Sequence, residues 1–199
     1  MDVSSFSPAH RALTGKNQRP VTMNCSTHLV HVFRNAEPLV AAVARFVCEG
    51  LRAGETCVVC ATAEHRAEID DLLRAEGLNP RALEAEYRYI PLDADRTLAS
   101  FYEPRAGINR TRFHRDIDQL IRQASARGQP VRIFGEMVVL LLAQNRPEVA
   151  IELEELWNEA SRHHNFALLC TYPTSDFTRN PRYRQLLRGV HSHAVFEDA

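Results

Sequence analysis

Glu136 closes the apolar run Ile133-Phe134-Gly135-Glu136. A carboxylate just beyond such a strand could hold magnesium through water or activate that water. It could equally be an acid at a helix N-terminus, which the helix dipole favours by about 0.3–1 kcal/mol. Cys57-x-x-Cys60 has the spacing of a redox or metal pair, but it falls within the apolar strand Thr56–Ala61. Residues three apart on a strand face opposite ways, so these thiols cannot share a metal or form a thioredoxin-type pair, and buried core cysteines are expected. His28 and His31 are separated by the same rule. His191 and His193, two apart, share a face and could converge on an ion or ligand, with His28 or Glu136 as a further donor. A hydrogen-bonded pair at a strand edge is the simpler expectation.

The stretch from Gly50 to His65 reads as a helix end, a turn, a buried strand and the start of another helix. ATPases of the RecA or KaiC type place their phosphate loop after such a strand, and Glu136 then resembles their Walker B carboxylate. That loop needs glycines, so that backbone N–H groups reach the phosphates, followed by Lys and Ser/Thr. Here the connection is Ala61-Thr62-Ala63-Glu64, and the chain's single lysine is Lys16. A Walker-type ATPase and Schiff-base chemistry are therefore disfavoured. Neither a serine-nucleophile signature nor a glycine-rich dinucleotide fingerprint is present.

With 199 residues, 45% of them hydrophobic, the chain can build one substantial core. A formal charge of −1 argues against direct nucleic-acid binding or a membrane-surface role. No apolar run approaches the roughly 18 residues of a membrane span, and the N-terminus lacks a signal-peptide core. Five cysteines, four of them among apolar neighbours, fit a reduced cytoplasmic protein. No cofactor is implied.

Residues 1–24, polar and proline-containing, are expected to be disordered. The remainder, 25–199, alternates strands and helices. Strands are expected at 28–33, 56–61, 87–91, 131–134, 166–172 and 190–196. Helices are expected from Asn35 until Gly50 and Gly54 end the first, then over 64–76, 109–126 and 137–143, from Pro147, and after Pro181. Residues 92–108 read as a polar, irregular connection that could act as a lid. The acids Glu148, Glu152, Glu154, Glu155 and Glu159 read as a solvated helix face with Trp157 inward, or alternatively as a docking surface for a basic partner. This alternation predicts a three-layer α/β fold, a mainly parallel sheet with helices on both faces.

In open α/β sheets ligands bind beyond the carboxyl ends of the strands. That geometry selects Arg34 and Asn35, Thr62 and Glu64, Gly135 to Met137, and Tyr172 to Thr174. The ligand-binding set expected from it, with the paired histidines added, is Arg34, Asn35, Thr62, Glu136, Met137, Tyr172, His191 and His193. No catalytic or metal-ligating residue is assigned.

A wider pattern runs through the chain: His28-x-x-His31-x-Phe33, Gly50-Leu51-x-x-Gly54-Glu55-x-Cys57 and Arg132-Ile133-Phe134-Gly135-Glu136-Met137, then Leu153-Glu154-x-Leu156-Trp157-Asn158, Leu169-Cys170-x-Tyr172-Pro173 and His191-Ser192-His193. In this order the set resembles the MEDS family, the sensory domain named for methanogens, methylotrophs and the DcmR regulator. The resemblance implies a RecA/KaiC-like core without its nucleotide loop, used as a signal-input module for small, often hydrocarbon-like molecules. It also implies output through histidine kinases or helix-turn-helix regulators. Residues 1–24 are too few for a helix-turn-helix domain and no kinase follows, so a separate kinase, anti-sigma factor or transcription regulator is expected. A homodimer is compatible with the sequence. The leading expectation is a non-enzymatic small-molecule sensor. The alternatives are a ligand-free interaction module of pseudo-ATPase type, docking through the acidic helix, and an enzyme or metal site built from Glu136, His191 and His193.

Overall fold

A computed structural model of the chain describes residues 27–33, 36–173 and 193–196. The expected tail, Arg34, Asn35, the helix after Pro181 and His191 lie outside the described residues. The strands are β1 (Thr27–Phe33), β2 (Thr56–Ala61), β3 (Tyr89–Asp93), β4 (Tyr102–Glu103), β5 (Gly107–Ile108), β6 (Val131–Gly135), β7 (Phe166–Pro173) and β8 (His193–Phe196). The helices are α1 (Ala36–Arg52), α2 (Ala63–Ala75), α3 (Pro80–Ala85), α4 (Ala94–Phe101), α5 (Arg110–Ala124), α6 (Met137–Ala143) and α7 (Pro147–His163).

Six strands form one sheet in the order β3-β2-β6-β7-β1-β8, and every pairing in it is parallel. Parallel strands must be joined by crossovers, which put helices on both faces and bury the strands twice over. β2 and β6 are accordingly buried at every position. Side chains alternate between two cores. Cys57, Val59, Ala61, Phe134 and Leu169 pack with α1 and α2. Val58, Cys60, Ile133, Leu168 and Cys170 pack with α4 to α7 on the other face. Cys57 and Cys60 thus lie on opposite sides of the sheet, as their spacing requires. The four described cysteines are buried and free of disulfides.

Three expectations are corrected. Residues 92–108 do not form an irregular lid. Asp93 caps α4, its Oδ1 accepting from the Arg96 N–H at 2.9 Å, and Ala94, Leu98 and Phe101 bury one face of that helix. The antiparallel pair β4–β5 follows. Gly50 does not end α1, which runs through it to Arg52. A Cβ at Gly50 would sit 2.7 Å from Arg132 Cδ and 2.8 Å from Cys57 Sγ, so close approach, and not chain termination, explains this glycine. Gly54, with φ +82°, makes the turn into β2. β3 starts two residues later than expected because α3, capped by Asn79, and a turn with Tyr87 at φ +54° use up the preceding residues. Pro91 is tolerated because β3 is an edge strand.

Candidate functional site

The connections leaving β2 and β6 diverge. From β2 the chain passes into α2 on one face and returns to β3, whereas from β6 it passes into α6 and α7 on the other face and returns to β7. Because β2 and β6 are neighbours, their carboxyl ends form a switch point, the place at which open α/β sheets hold ligands.

Thr62 and Glu136 meet there. Thr62 caps α2, its Oγ1 accepting from the His65 N–H at 3.3 Å. The Thr62 backbone N–H donates to Glu136 Oε2 at 2.8 Å. Glu136, itself buried, also accepts from His65 Nδ1 through Oε1 and donates its own N–H to the Cys60 carbonyl at 2.9 Å. A carboxylate is an acceptor, so Nδ1 carries the shared proton and Nε2 is left for a further partner. The His65 side chain is 24% exposed. A Cβ added at Gly135 would meet no described atom within 4 Å, and it would point to the face that Cys60 shares, opposite α2.

The same contacts occupy the start of α2. Helix N-termini attract anions because their first N–H groups lack partners within the helix. Here Thr62 Oγ1 accepts from the His65 N–H, and the Glu136 carboxylate takes the N–H of Thr62 itself. The protein thus places its own carboxylate at the start of α2.

One strand further out, Arg66 pairs with Asp93 at 3.0 Å. Beyond that pair a groove of about 540 Å³ runs between α4 and α5, lined in part by Arg66, Arg96, Thr97, Ser100 and Asp116. His65 thus places an imidazole beside Glu136, and Arg66 a guanidinium beside the groove, groups suited to a polar or anionic small molecule.

The other expected site residues go elsewhere. Met137 is a fully buried core residue of α6. His193 opens β8, and three strand spacings separate β8 from β6, roughly 14 Å. The expected grouping of Glu136 with His193 is thus corrected. Tyr172 is completely buried and turns its hydroxyl to Glu154 of α7, away from any strand-tip cleft.

Around Tyr172 lies a second polar group that the spacing arguments missed. Glu154, fully buried, lies 3.1 Å from His28 Nε2 through Oε2. Cys170 Sγ lies 3.3 Å from the same His28 nitrogen and 3.7 Å from Glu154 Oε2. His28 Nδ1 meets Asn158 Oδ1 at 2.9 Å. Burial, and then the Glu154 charge, push the Cys170 thiol and the Tyr172 phenol well above their ordinary pKa. The acidic face expected on α7 is therefore broken: Glu154 points inward, and Glu152 and Glu159 pair with Arg110 at 3.4 and 2.7 Å.

The class defined by this geometry is an open α/β domain with a parallel main sheet and a polar cluster at its switch point. Within that class the chain belongs to the MEDS family, described as the MEthanogen/methylotroph, DcmR Sensory domain, whose family model matches residues 27–193. No curated protein matches the chain. Among the described residues no helix is long and apolar enough to cross a membrane.

Proposed function

We propose that this domain is a non-enzymatic sensor, binding a small organic molecule at the switch point between β2 and β6 and passing the change to a partner protein. The observation that carries this reading is the Thr62–Glu136–His65 constellation at the switch point. Its carboxylate is held by protein donors, while the imidazole it orients remains partly exposed. Glu136 is then the anchor, and His65 with Arg66 contacts the ligand. Membership of a sensory-domain family supports the role. The fitting output is a histidine kinase, an anti-sigma factor or a transcription regulator of a bacterial signalling pathway, which responds to a shift in conformational population. That shift is bounded by the ligand's differential affinity for the two states.

A thermal-shift screen with small organic acids, haloalkanes and nucleotides tests the proposal. A ligand at about 100 times its Kd adds about 2.7 kcal/mol, a rise of roughly 5–10 °C for a chain of this size. His65→Ala is expected to abolish the rise. No stabilisation by any compound class, or turnover of ATP that Glu136→Gln abolishes, would refute the sensor reading. The internal pairing of Glu152 and Glu159 with Arg110 weighs against a ligand-free module docking through α7.

A further inference from the structure

The buried group on the opposite side of the sheet from α1 has the geometry of a metal centre. We propose that His28, Glu154 and Cys170 form a binding site for a divalent transition ion of the zinc class. The three donor atoms are His28 Nε2, Glu154 Oε2 and Cys170 Sγ, and all lie within 4.8 Å of one another. Their separations are 3.1, 3.3 and 3.7 Å. Ligands of a tetrahedral zinc ion at bond lengths of about 2.0–2.3 Å lie roughly 3.3–3.6 Å apart, so one ion fits between these atoms after shifts of a few tenths of an ångström. Tight packing brings side chains close anywhere in a core, but here the histidine and the carboxylate are also held by neighbours.

Asn158 Oδ1 lies 2.9 Å from His28 Nδ1 and holds the ring with Nε2 facing Glu154 and Cys170, so that metal binding requires Nε2 to give up any proton it shares with the carboxylate. The Tyr172 hydroxyl donates to Glu154 Oε1, leaving Oε2 as the ligating oxygen. Metal-bound histidines and carboxylates are oriented in this way, by hydrogen bonds from their non-ligating atoms. The local structure supplies the rest. Glu154 and Asn158 are four residues apart on α7 and so share its inner face, and Cys170 and Tyr172 are two apart on β7 and share a strand face. β1 pairs directly with β7, bringing His28 beside them.

The donor set selects the ion. One imidazole, one carboxylate and one sulfur suit zinc, cobalt or a similar borderline ion, and exclude magnesium and calcium, which require oxygen cages. Binding converts the Cys170 thiol to thiolate and releases its proton to solvent, so the thiolate and carboxylate balance the two charges of the ion. A tetrahedral ion takes a fourth ligand beside these three described donors, and where that ligand is water or a small exogenous donor the domain gains a second place to receive a chemical signal. The inference does not depend on the switch point between β2 and β6.

Since the group is buried, the ion is expected to enter as the chain folds. The full chain, purified without an affinity tag of histidines, is assayed for metal by mass spectrometry and then refolded with cobalt(II). The expected result is one equivalent per chain, a thiolate-to-cobalt charge-transfer band in the near ultraviolet, and the strong visible bands of a four-coordinate ion. Cys170→Ser should lose the charge-transfer band and His28→Ala the stoichiometric binding, whereas Cys60→Ser, on another strand, should keep both. Absence of bound metal in both preparations overturns the proposal. Cobalt bound without a thiolate band, or a band surviving in Cys170→Ser, also overturns it. If Cys170→Ser does not fold, the wild-type cobalt spectrum still decides.

Discussion

Arg132 enters the sheet at the second position of β6 and is almost wholly buried. Its guanidinium pairs with Glu55, donates to the Phe46 carbonyl at 3.2 Å and lies 5.0 Å from the centre of the Phe46 ring. Removing one charge of such a pair strands the other in a poorly solvated place. Glu55→Gln is therefore expected to cost roughly 2–3 kcal/mol, with Glu49 at 3.8 Å softening the loss. The measurement is a urea titration, in which the midpoint falls while the slope stays constant. Gly50→Ala tests the same corner by volume. Alanine improves helix propensity by about 0.8–1 kcal/mol, but the added methyl would push into Arg132 and Cys57, and overpacking costs about 1–3 kcal/mol. A net loss is expected, and a stabilised variant would show that the Arg132 chain swings away freely. These residues sit at the opposite end of the strands from Thr62 and Glu136, so neither change should alter ligand-induced stabilisation.

At the scale of elements, the capping of α2 separates structure from recognition. Thr62→Ala deletes the hydroxyl that accepts from His65 but keeps the backbone N–H that holds Glu136. Its expected cost is about 1 kcal/mol of stability with ligand response retained, whereas His65→Ala should lose the response. Calorimetry of the two variants side by side distinguishes them. The same elements show what the sequence could reveal. The buried run of β2 and the regular apolar spacing of α5 were readable because their periods are strong, and the rule for strand ends brought Thr62 and Glu136 together. His65 escaped that rule because it sits a turn inside α2 and meets a partner 71 residues away, a distance no local spacing encodes. Glu154 was misread because charge was weighed over position. It lies four residues after Ala150 and three before Trp157, on the stripe that α7 buries. Helix α4 was missed because it is only eight residues long and is flanked by Pro91 and Pro104, although Ala94, Leu98 and Phe101 already trace its inner face.

For the molecule as a whole, burial of thiols on both faces of one sheet sets a limit on alkaline stability. Desolvation raises Cys57 and Cys60 from 9.0 to about 12 each. A raised folded pKa means that the native state keeps its protons longer than the unfolded chain. Stability is then full below pH 9 and declines between pH 9 and 12, by about 1.4 kcal/mol per pH unit for each thiol. Unfolding midpoints measured from pH 8 to 11 should fall at least that steeply, since Cys48 and Cys170 are raised as well, and Cys60→Ala should remove one thiol's share; a flat profile would contradict the assignment. The strand order carries a different consequence. β1 and β2 follow one another in the chain, yet two places between them belong to β6 and β7. A ribosome adding about 5–20 residues per second needs on the order of 4–15 s to advance from the end of β2 to the end of β6. Throughout that interval the nascent chain displays unpaired apolar ribbons, so its yield in the cell should depend on translation speed and on chaperones that shield such edges.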